Sequence, residues 1–321
     1  MTAPRRLTAT VVAATEAAEG VRSLRLQLGK RVHAAPGSHV DVVVHLNGRD
    51  ETRSYSVVAH DPEAGTIDLG IRLGATSSGG SRYLHGLTAG DRLRVTEPVQ
   101  TFPLTRGRPG YTLVAGGIGI TALLPMFRTL VAQDADVRLV YAGRGRATMA
   151  FLDQLDHPRV DVVAKDEGRV INPDRLVADL PEGHELYVCG PIGLLEALRS
   201  AWHTAGRPAS HFRFETFGSS GRHPAEEFVV EIPRLSLRTT VPANRSLLDA
   251  LEAAGAELMS DCRRGECGLC EVKVLGCTGI VDHRDVFLSP EQHAQDDHLC
   301  TCVSRAASVH GEPATLVLDV P

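Results

Sequence analysis

The stretch DCRRGECGLC, from Asp261 to Cys270, carries three cysteines at the spacing C-x4-C-x2-C. The chain has seven cysteines, and six of them lie between Cys262 and Cys302; the seventh is Cys189. An odd number of cysteines in a chain of this length is a poor basis for a disulfide framework. The clustering predicts a metal centre in a reducing compartment.

This spacing is typical of proteins that bind a [2Fe–2S] cluster, in which a distant fourth cysteine completes the ligand set. Gly265 and Gly268 let the backbone approach the sulfurs, where N–H groups stabilise the anionic cluster. Arg263 and Arg264 add positive charge. Zinc is the alternative, but structural zinc sites usually pair two C-x2-C units, and the sequence has one clear unit of this kind.

Two cysteines are candidates for the fourth ligand beside Cys262, Cys267 and Cys270. Twenty-nine residues separate Cys270 from Cys300, and thirty-one separate it from Cys302. Counting alone favours Cys300, because that gap is the usual one in plant-type ferredoxins.

Composition limits the classes of partner. The 321 residues suffice for two or three domains, and 43% hydrophobic and 23% charged residues are typical of a globular protein. A net charge of −5 and 4% aromatic residues argue against nucleic acid. No apolar run reaches the roughly 20 residues of a membrane helix, and the N-terminal residues lack the apolar core of a targeting peptide. We expect a cytoplasmic monomer without a membrane partner.

Three segments differ in their pattern of strands and helices. Residues 1–106 contain short alternating strands such as HVDVVVHL (39–46) and predict an antiparallel β-barrel. Residues 107–222 alternate strands such as YTLVAG (111–116) with helices, which predicts an α/β domain with a parallel sheet. A Gly/Ser-rich linker spans 217–227, and residues 223–321 predict a compact α+β domain in which Ser246 caps a helix.

Two patterns in the first segment suit a phosphate-bearing cofactor. RSYS (53–56) lies on a predicted strand, where Arg53 and Tyr55 share one face and Ser56 lies on the other. Arg53 supplies a counter-charge for a phosphate. SSGGSRYLHGL (77–87) places three small residues before a short helix, whose free N–H groups favour an anion; these are Gly79, Gly80 and Ser81.

The second segment carries the signs of a dinucleotide site. GGIGIT (116–121) follows a strand and opens a helix, so a pyrophosphate can approach the backbone there. The expected binding residues are Gly116, Gly117, Gly119 and Thr121. The motif is not a complete G-x-G-x-x-G and is weak by itself.

The end of the second strand of this segment bears on nucleotide choice. YAGRGRA (141–147) presents Arg144 and Arg146 to an adenosine ribose or its 2′-phosphate. No acidic residue follows directly on this strand to select a 2′-hydroxyl, so NADH and NADPH both stay open.

Together, and in this order, the motifs resemble those of the phthalate dioxygenase reductase family, which includes the vanillate O-demethylase reductases. The resemblance covers nearly the whole chain. It rests on RSYS, GGIGIT, CGP (189–191), HFRFETFG (211–218), CRRGECGLC, DHRD (282–285) and CVSRA (302–306). It implies a ferredoxin-reductase-like flavin barrel, a nucleotide domain and a C-terminal β-grasp ferredoxin domain.

The resemblance also implies roles for particular residues. It favours FMN over FAD, NADH over NADPH, and a flavin whose reactive N5 lies near Ser56. It places Cys189 beside the nicotinamide, together with Gly190 and Pro191, and Phe217 near the flavin. Cys302 begins the CVSRA tail and is favoured as the fourth cluster ligand, with two inserted residues in GCTGIV (276–281) explaining the longer gap.

The combination of modules predicts a reaction. A hydride carries two electrons, whereas a [2Fe–2S] cluster accepts one, and a flavin can convert between the two. We therefore expect an oxygenase reductase that passes electrons from NADH through FMN and the cluster to a terminal oxygenase acting in O-demethylation or hydroxylation of an aromatic or related substrate. A Rieske-type partner is favoured and a cytochrome P450 is the alternative. A non-enzymatic electron-transfer subunit is the competing class. No 2-His–carboxylate set is evident in the sequence, so oxygenation by this chain itself is not expected.

Overall fold

The computed structural model describes residues 5–46, 48–74, 79–217, 223–309 and 311–320. The chain divides into two compact units, Met1–Glu215 and Thr216–Pro321. Among the described residues, none of the helices combines the length and apolar character that a membrane crossing requires.

The first unit begins with a closed antiparallel barrel. Its strands are β1 (Arg6–Ala18), β2 (Val21–Gln27), β3 (Ser38–Leu46), β4 (Arg49–Asp61), β5 (Thr66–Arg72), β6 (Arg92–Thr96) and the short β7 (Val99–Gln100), with helix α1 (Gly80–His85) after β5. The order is β4-β5-β2-β1-β6-β3, and β3 pairs again with β4, so six strands close the barrel and β7 extends β3. The predicted barrel is confirmed.

Strict alternation in β3 explains why this segment forms a barrel wall. Val40, Val42 and Val44 are completely buried, while Asp41 and His45 point away from the core. Burying such a side chain stabilises the fold by roughly 1.5–3 kcal/mol. A shift of one residue in the pairing would expose all three valines, so the pattern also fixes the register.

A five-stranded parallel sheet completes the first unit. Its elements are β8 (Tyr111–Gly116), α2 (Ile120–Ala132), β9 (Val137–Gly143), β10 (Val160–Ala164), α3 (Pro173–Ala178), β11 (Glu185–Cys189), α4 (Ile192–Thr204) and β12 (Phe212–Glu215). The strand order is β10-β9-β8-β11-β12. The direction of winding reverses between β8 and β11, and open α/β sheets bind ligands at such a switch point.

Helix α2 packs directly on the barrel. A Cβ added to Gly70 of β5 would lie 2.7 Å from Thr121 Cγ2 and 3.1 Å from the Phe151 ring. Glycine at this position therefore lets the start of α2 approach the barrel wall.

The second unit is the predicted β-grasp domain. Its elements are β13 (Phe228–Ile232), β14 (Leu237–Val241), α5 (Leu247–Ala253), β15 (Glu271–Cys277), β16 (Ile280–Asp282), α6 (Pro290–Gln295), β17 (His298–Cys300), β18 (Arg305–Ala307) and β19 (Thr315–Asp319). The main sheet has the order β14-β13-β19-β15-β17, and β16 pairs with β18. Leu247 and Leu251 of α5 are completely buried in the same core as the sheet. Ser246 accepts the Asp249 N–H at 3.0 Å, which confirms the predicted cap.

Candidate functional site

The cysteine loop lies between α5 and β15, and its thiols converge with one from the turn after β17. Cys262 is half-buried, Cys267 is exposed and Cys270 is buried. The thiol of Cys302 hydrogen-bonds with those of both Cys262 and Cys270, and Cys262 also interacts with Cys267. These four sulfurs form a donor set that fits an iron–sulfur cluster.

Cys300 is placed differently from Cys302. It lies on β17, paired with Glu271 of β15, and its thiol interacts with that of Cys270. Its side chain is completely buried. The geometry therefore brings Cys302, rather than Cys300, to both ends of the loop.

Hydrogen bonding prepares two of the loop sulfurs for metal binding. The Cys302 thiol, followed by the backbone N–H groups of Arg264 and Glu266, lowers the pKa of Cys262 to about 4. Both N–H groups lie 3.4 Å from Cys262 Sγ. The thiols of Cys300 and Cys302 lower the pKa of Cys270 to about 2. The same hydrogen bonds raise the pKa of the Cys302 thiol. Ligating cysteines must be thiolates, so these contacts favour the ligating form at Cys262 and Cys270.

Both glycines of the loop are required by close packing as well as by backbone conformation. Gly265 and Gly268 have positive φ angles of 75° and 74°. A Cβ on Gly268 would lie 2.3 Å from the Phe287 ring, and one on Gly265 would lie 2.8 Å from Asp285 Cα. The sequence prediction invoked approach to the cluster and did not foresee these protein contacts.

The loop is anchored by two charged side chains. Arg263 donates to Asp249 Oδ1 and Glu252 Oε1 of α5, each at 2.9 Å. Glu266 Oε1 accepts the Thr216 N–H at 3.0 Å. Arg263 thus contributes to loop anchoring, and its charge is balanced by carboxylates.

In the barrel, RSYS and the glycine turn lie together. A Cβ on Gly80 would be 2.9 Å from Arg53 Cγ and 3.1 Å from Arg53 Nε, so the arginine crosses the start of α1. Arg53 also pairs with Glu51 at 2.5 Å. Gly79 has a φ of 101°, and Ser81 Oγ accepts the Gly74 N–H at 3.4 Å. A cation over a glycine backbone fits a phosphate group. Ser77 and Ser78 of this turn lie outside the described residues.

The other two RSYS side chains are sheltered by the barrel. Tyr55 packs against the barrel core, and burial raises the pKa of its hydroxyl to about 12. Ser56 is 7% exposed and pairs with His39 of β3.

The two glycine turns meet at the switch point of the parallel sheet. A Cβ on Gly119 would lie 2.0 Å from the carbonyl oxygen of Cys189, and one on Gly116 would lie 2.6 Å from Pro191 Cδ. Gly190 also lies close to Gly116, since a Cβ on Gly190 would lie 2.9 Å from Gly116 Cα. These glycines allow close packing between the ends of β8 and β11.

Gly117 and Thr121 have separate parts in the first turn. Gly117 has a φ of 55°, and nothing lies within 4 Å of a Cβ added there. The space beside the Gly117 Cα is therefore open. Thr121 Oγ1 donates to the Ile118 carbonyl at 2.8 Å, so this side chain positions the turn.

An acidic side chain that sequence reasoning missed stands at the end of β9. A Cβ on Gly145 would lie 2.2 Å from Asp166 Oδ2, and the Asp166 N–H donates to the carbonyl of Arg144 at 3.0 Å. Asp166 does not follow β9 in the sequence. Asp166 follows β10 instead, and the two parallel strands end side by side.

Phe217 belongs to the second unit and is 39% exposed. It is followed by residues outside the described ranges. Its role beside a flavin stays a prediction.

Comparisons with known proteins agree with this arrangement. Residues 8–103 match the oxidoreductase FAD-binding domain, and residues 231–307 match the 2Fe-2S iron-sulfur cluster binding domain. The heme-dependent oxidative N-demethylase beta subunit of Ectopseudomonas mendocina is 37% identical over 287 residues, covering 88% of each chain.

Two further comparisons extend over most of the chain. The vanillate O-demethylase oxidoreductase of Pseudomonas sp. strain HR199 is 34% identical over 293 residues, covering 88% of this chain and 89% of that one. The solved structure of phthalate dioxygenase reductase, described as a modular structure for electron transfer from pyridine nucleotides to [2Fe–2S], is 28% identical. It covers 98% of each chain with a TM-score of 0.74.

Proposed function

Because the chain belongs to the phthalate dioxygenase reductase family, and is thus a flavin and [2Fe–2S] oxidoreductase of an oxygenase system, we propose that it moves electrons from NADH to a terminal oxygenase. The observation that carries the proposal is the convergence of Cys262, Cys267, Cys270 and Cys302 in a chain that also holds a flavin-type barrel and a nucleotide switch point. When bound, the flavin accepts a hydride and the cluster transfers single electrons. The three modules are proposed to span 1–106, 107–222 and 223–321.

We assign the flavin as FMN, with its phosphate at the start of α1. The position of Arg53 against Gly80 supports this assignment, since it places one cation beside the glycine backbone at the start of α1. Ser56 is assigned to the reactive edge of the flavin ring, and Tyr55 to its support.

Flavin released by heat should therefore have the mass of FMN, and release of FAD would contradict the assignment. Arg53→Ala should weaken flavin retention about tenfold, whereas Arg25→Ala, which removes the partner of Asp68, should not.

The nucleotide is assigned to the edge formed by the ends of β8, β9 and β11. Gly117 would accept the pyrophosphate, Cys189 would face the nicotinamide, and Gly190 and Pro191 would complete that turn. Asp166 supports NADH over NADPH, because its carboxylate stands at the end of β9, near Arg144. A carboxylate accepts hydrogen bonds from a ribose 2′-hydroxyl and repels a 2′-phosphate.

Asp166→Asn should shift the nucleotide preference. Removing the negative charge should raise the ratio of kcat/KM for NADPH to that for NADH by about tenfold, which corresponds to about 1.4 kcal/mol. Steady-state reduction of ferricyanide with each nucleotide measures this ratio. Asp174→Asn removes an equal charge from the first turn of α3 and should leave the ratio unchanged. An unaltered ratio in the Asp166 variant would assign nucleotide choice to other residues.

The partner is proposed to dock over the cluster loop. Leu269 and Phe287 are 48% and 45% exposed, and Phe287 packs on Gly268 beside the exposed Cys267. A small apolar surface beside the redox centre suits the brief contacts of electron-transfer partners. We favour a Rieske-type oxygenase of aromatic or related substrates and keep a P450 as the alternative. We also propose that the chain acts as a monomer in the cytoplasm, where thiols stay reduced.

Anaerobic titration of the purified protein with NADH tests the function. We expect bleaching of the flavin band together with a rhombic electron paramagnetic resonance signal from the reduced cluster. Reduction by NADPH alone would contradict the nucleotide assignment but preserve the reductase function. Failure of both nucleotides with flavin and cluster present would favour a non-enzymatic electron-transfer subunit. Release of reduced flavin from the protein into solution during turnover would favour a flavin reductase.

A further inference from the structure

The ferredoxin domain contains a second group of side chains of the types that bind metals, in addition to the four cysteines. His283 and Asp285 follow β16, and His293 lies on α6. One ligand atom from each lies within 4.8 Å of those of the other two. The imidazole rings are stacked, with centroids 4.4 Å apart. Helix α6 returns against the segment after β16 and brings these three side chains together.

His283 has the hydrogen-bond pattern of a metal ligand. Its side chain is 8% exposed, and Nε2 lies 2.9 Å from Asp296 Oδ1. Because a carboxylate only accepts hydrogen bonds, this contact holds the proton on Nε2 and leaves Nδ1 with a lone pair in the neutral ring. Nδ1 is buried, has no hydrogen-bond partner in the part of the chain that the structure describes, and lies 3.9 Å from Asp285 Oδ1.

Asp285 is held in a fixed orientation toward both rings. It is 1% exposed. Its Oδ2 accepts the Leu288 N–H at 2.9 Å and lies 3.2 Å from His293 Nε2. Its Oδ1 accepts the Ser304 hydroxyl at 3.2 Å. Such contacts orient a carboxylate that ligates a metal.

We propose that His283 Nδ1, the Asp285 carboxylate and His293 Nε2 bind one zinc ion, with Asp296 orienting His283. Two imidazoles and one carboxylate suit zinc, whose fourth position water can fill. The orphaned, buried Nδ1 carries the argument, because leaving such an atom without a partner costs free energy that a cation would recover. The ion would tie α6 to the segment after β16. The inference is independent of the electron-transfer function.

Zinc binding to the holoprotein tests the proposal. After treatment with a chelator and desalting, the protein is titrated with zinc chloride by calorimetry, and zinc and iron are counted by mass spectrometry. We expect one zinc per chain without loss of iron or of cluster absorbance, and a higher melting temperature, since a ligand that binds the folded state stabilises it. Zinc that enters only as iron leaves would overturn the proposal, because it would mean that the ion replaces iron at the cysteines.

Variants separate this site from incidental surface binding. His283→Gln and His293→Gln should each abolish stoichiometric binding, and Asp296→Asn should weaken it about tenfold by freeing the His283 ring. His45→Gln is the matched control, because His45 and Asp50 form an exposed pair at 3.0 Å in the barrel. It should bind zinc as the unaltered protein does. Equal affinity in the His293→Gln variant, with its iron content intact, would overturn the assignment.

Discussion

The Cys302→Ser variant should lose the visible absorbance of the cluster and its iron, whereas Cys300→Ser should retain both. Cys302 contacts the thiols of Cys262 and Cys270, so its removal opens the donor set. Cys300 lies on β17, is completely buried, and interacts with the thiol of Cys270. Serine at position 300 replaces a buried sulfur by a hydroxyl and should lower stability by about 1–3 kcal/mol without removing a ligand.

Iron analysis and absorbance after anaerobic purification measure this difference, and flavin content is the internal control because the barrel lies in the other unit. Cys277→Ser is a second control. Cys277 lies at the end of β15, where its sulfur accepts the Gly279 N–H at 3.4 Å. Loss of iron in Cys300→Ser with retention in Cys302→Ser would reverse the assignment.

The fourth ligand also shows how far sequence reasoning reaches. Counting residues favoured Cys300, because it assumes that no insertion lies between the third and fourth ligands. The resemblance of CVSRA to the family favoured Cys302, and the hydrogen bonds of its thiol support that choice. Spacing within a tight loop is fixed by geometry, whereas spacing across several strands can change by insertion. The first three cysteines could therefore be predicted from spacing and the fourth could not.

The fold class of each segment could be predicted because it depends on the spacing of apolar residues within short stretches of sequence. Alternation in β3 and buried runs such as β8 identify strands without knowledge of their neighbours. Asp166 and the His283–Asp285–His293 group could not be found in this way. Each depends on which strand or helix returns beside another, and that information is tertiary. Gly119 could be predicted only in part. The GGIGIT motif predicted a contact with the nucleotide, whereas in the structure a Cβ on Gly119 would meet the carbonyl of Cys189.

Gly119→Ala should slow reduction by NADH at least about 100-fold while leaving the cluster intact. The added Cβ would lie 2.0 Å from the Cys189 carbonyl oxygen and 2.5 Å from its carbonyl carbon, so the turns after β8 and β11 must separate. These turns are the proposed seat of the nicotinamide and pyrophosphate, and misplacement by about 1 Å can cost a factor of 100 in rate. The overpacking should also lower stability by about 1–3 kcal/mol.

Anaerobic stopped-flow reduction by NADH measures this rate, and dithionite reduction of the same sample shows whether flavin and cluster are still present. Gly193→Ala is the matched control, because Gly193 lies in α4, close in sequence to the same turn, and nothing lies within 4 Å of an added Cβ. It should reduce at the normal rate and be more stable by about 0.5–1 kcal/mol, since alanine favours the helix. Normal reduction by NADH in Gly119→Ala would mean that the nucleotide does not depend on the packing of these two turns. The switch point would then lose its assigned role, even though the glycines meet there.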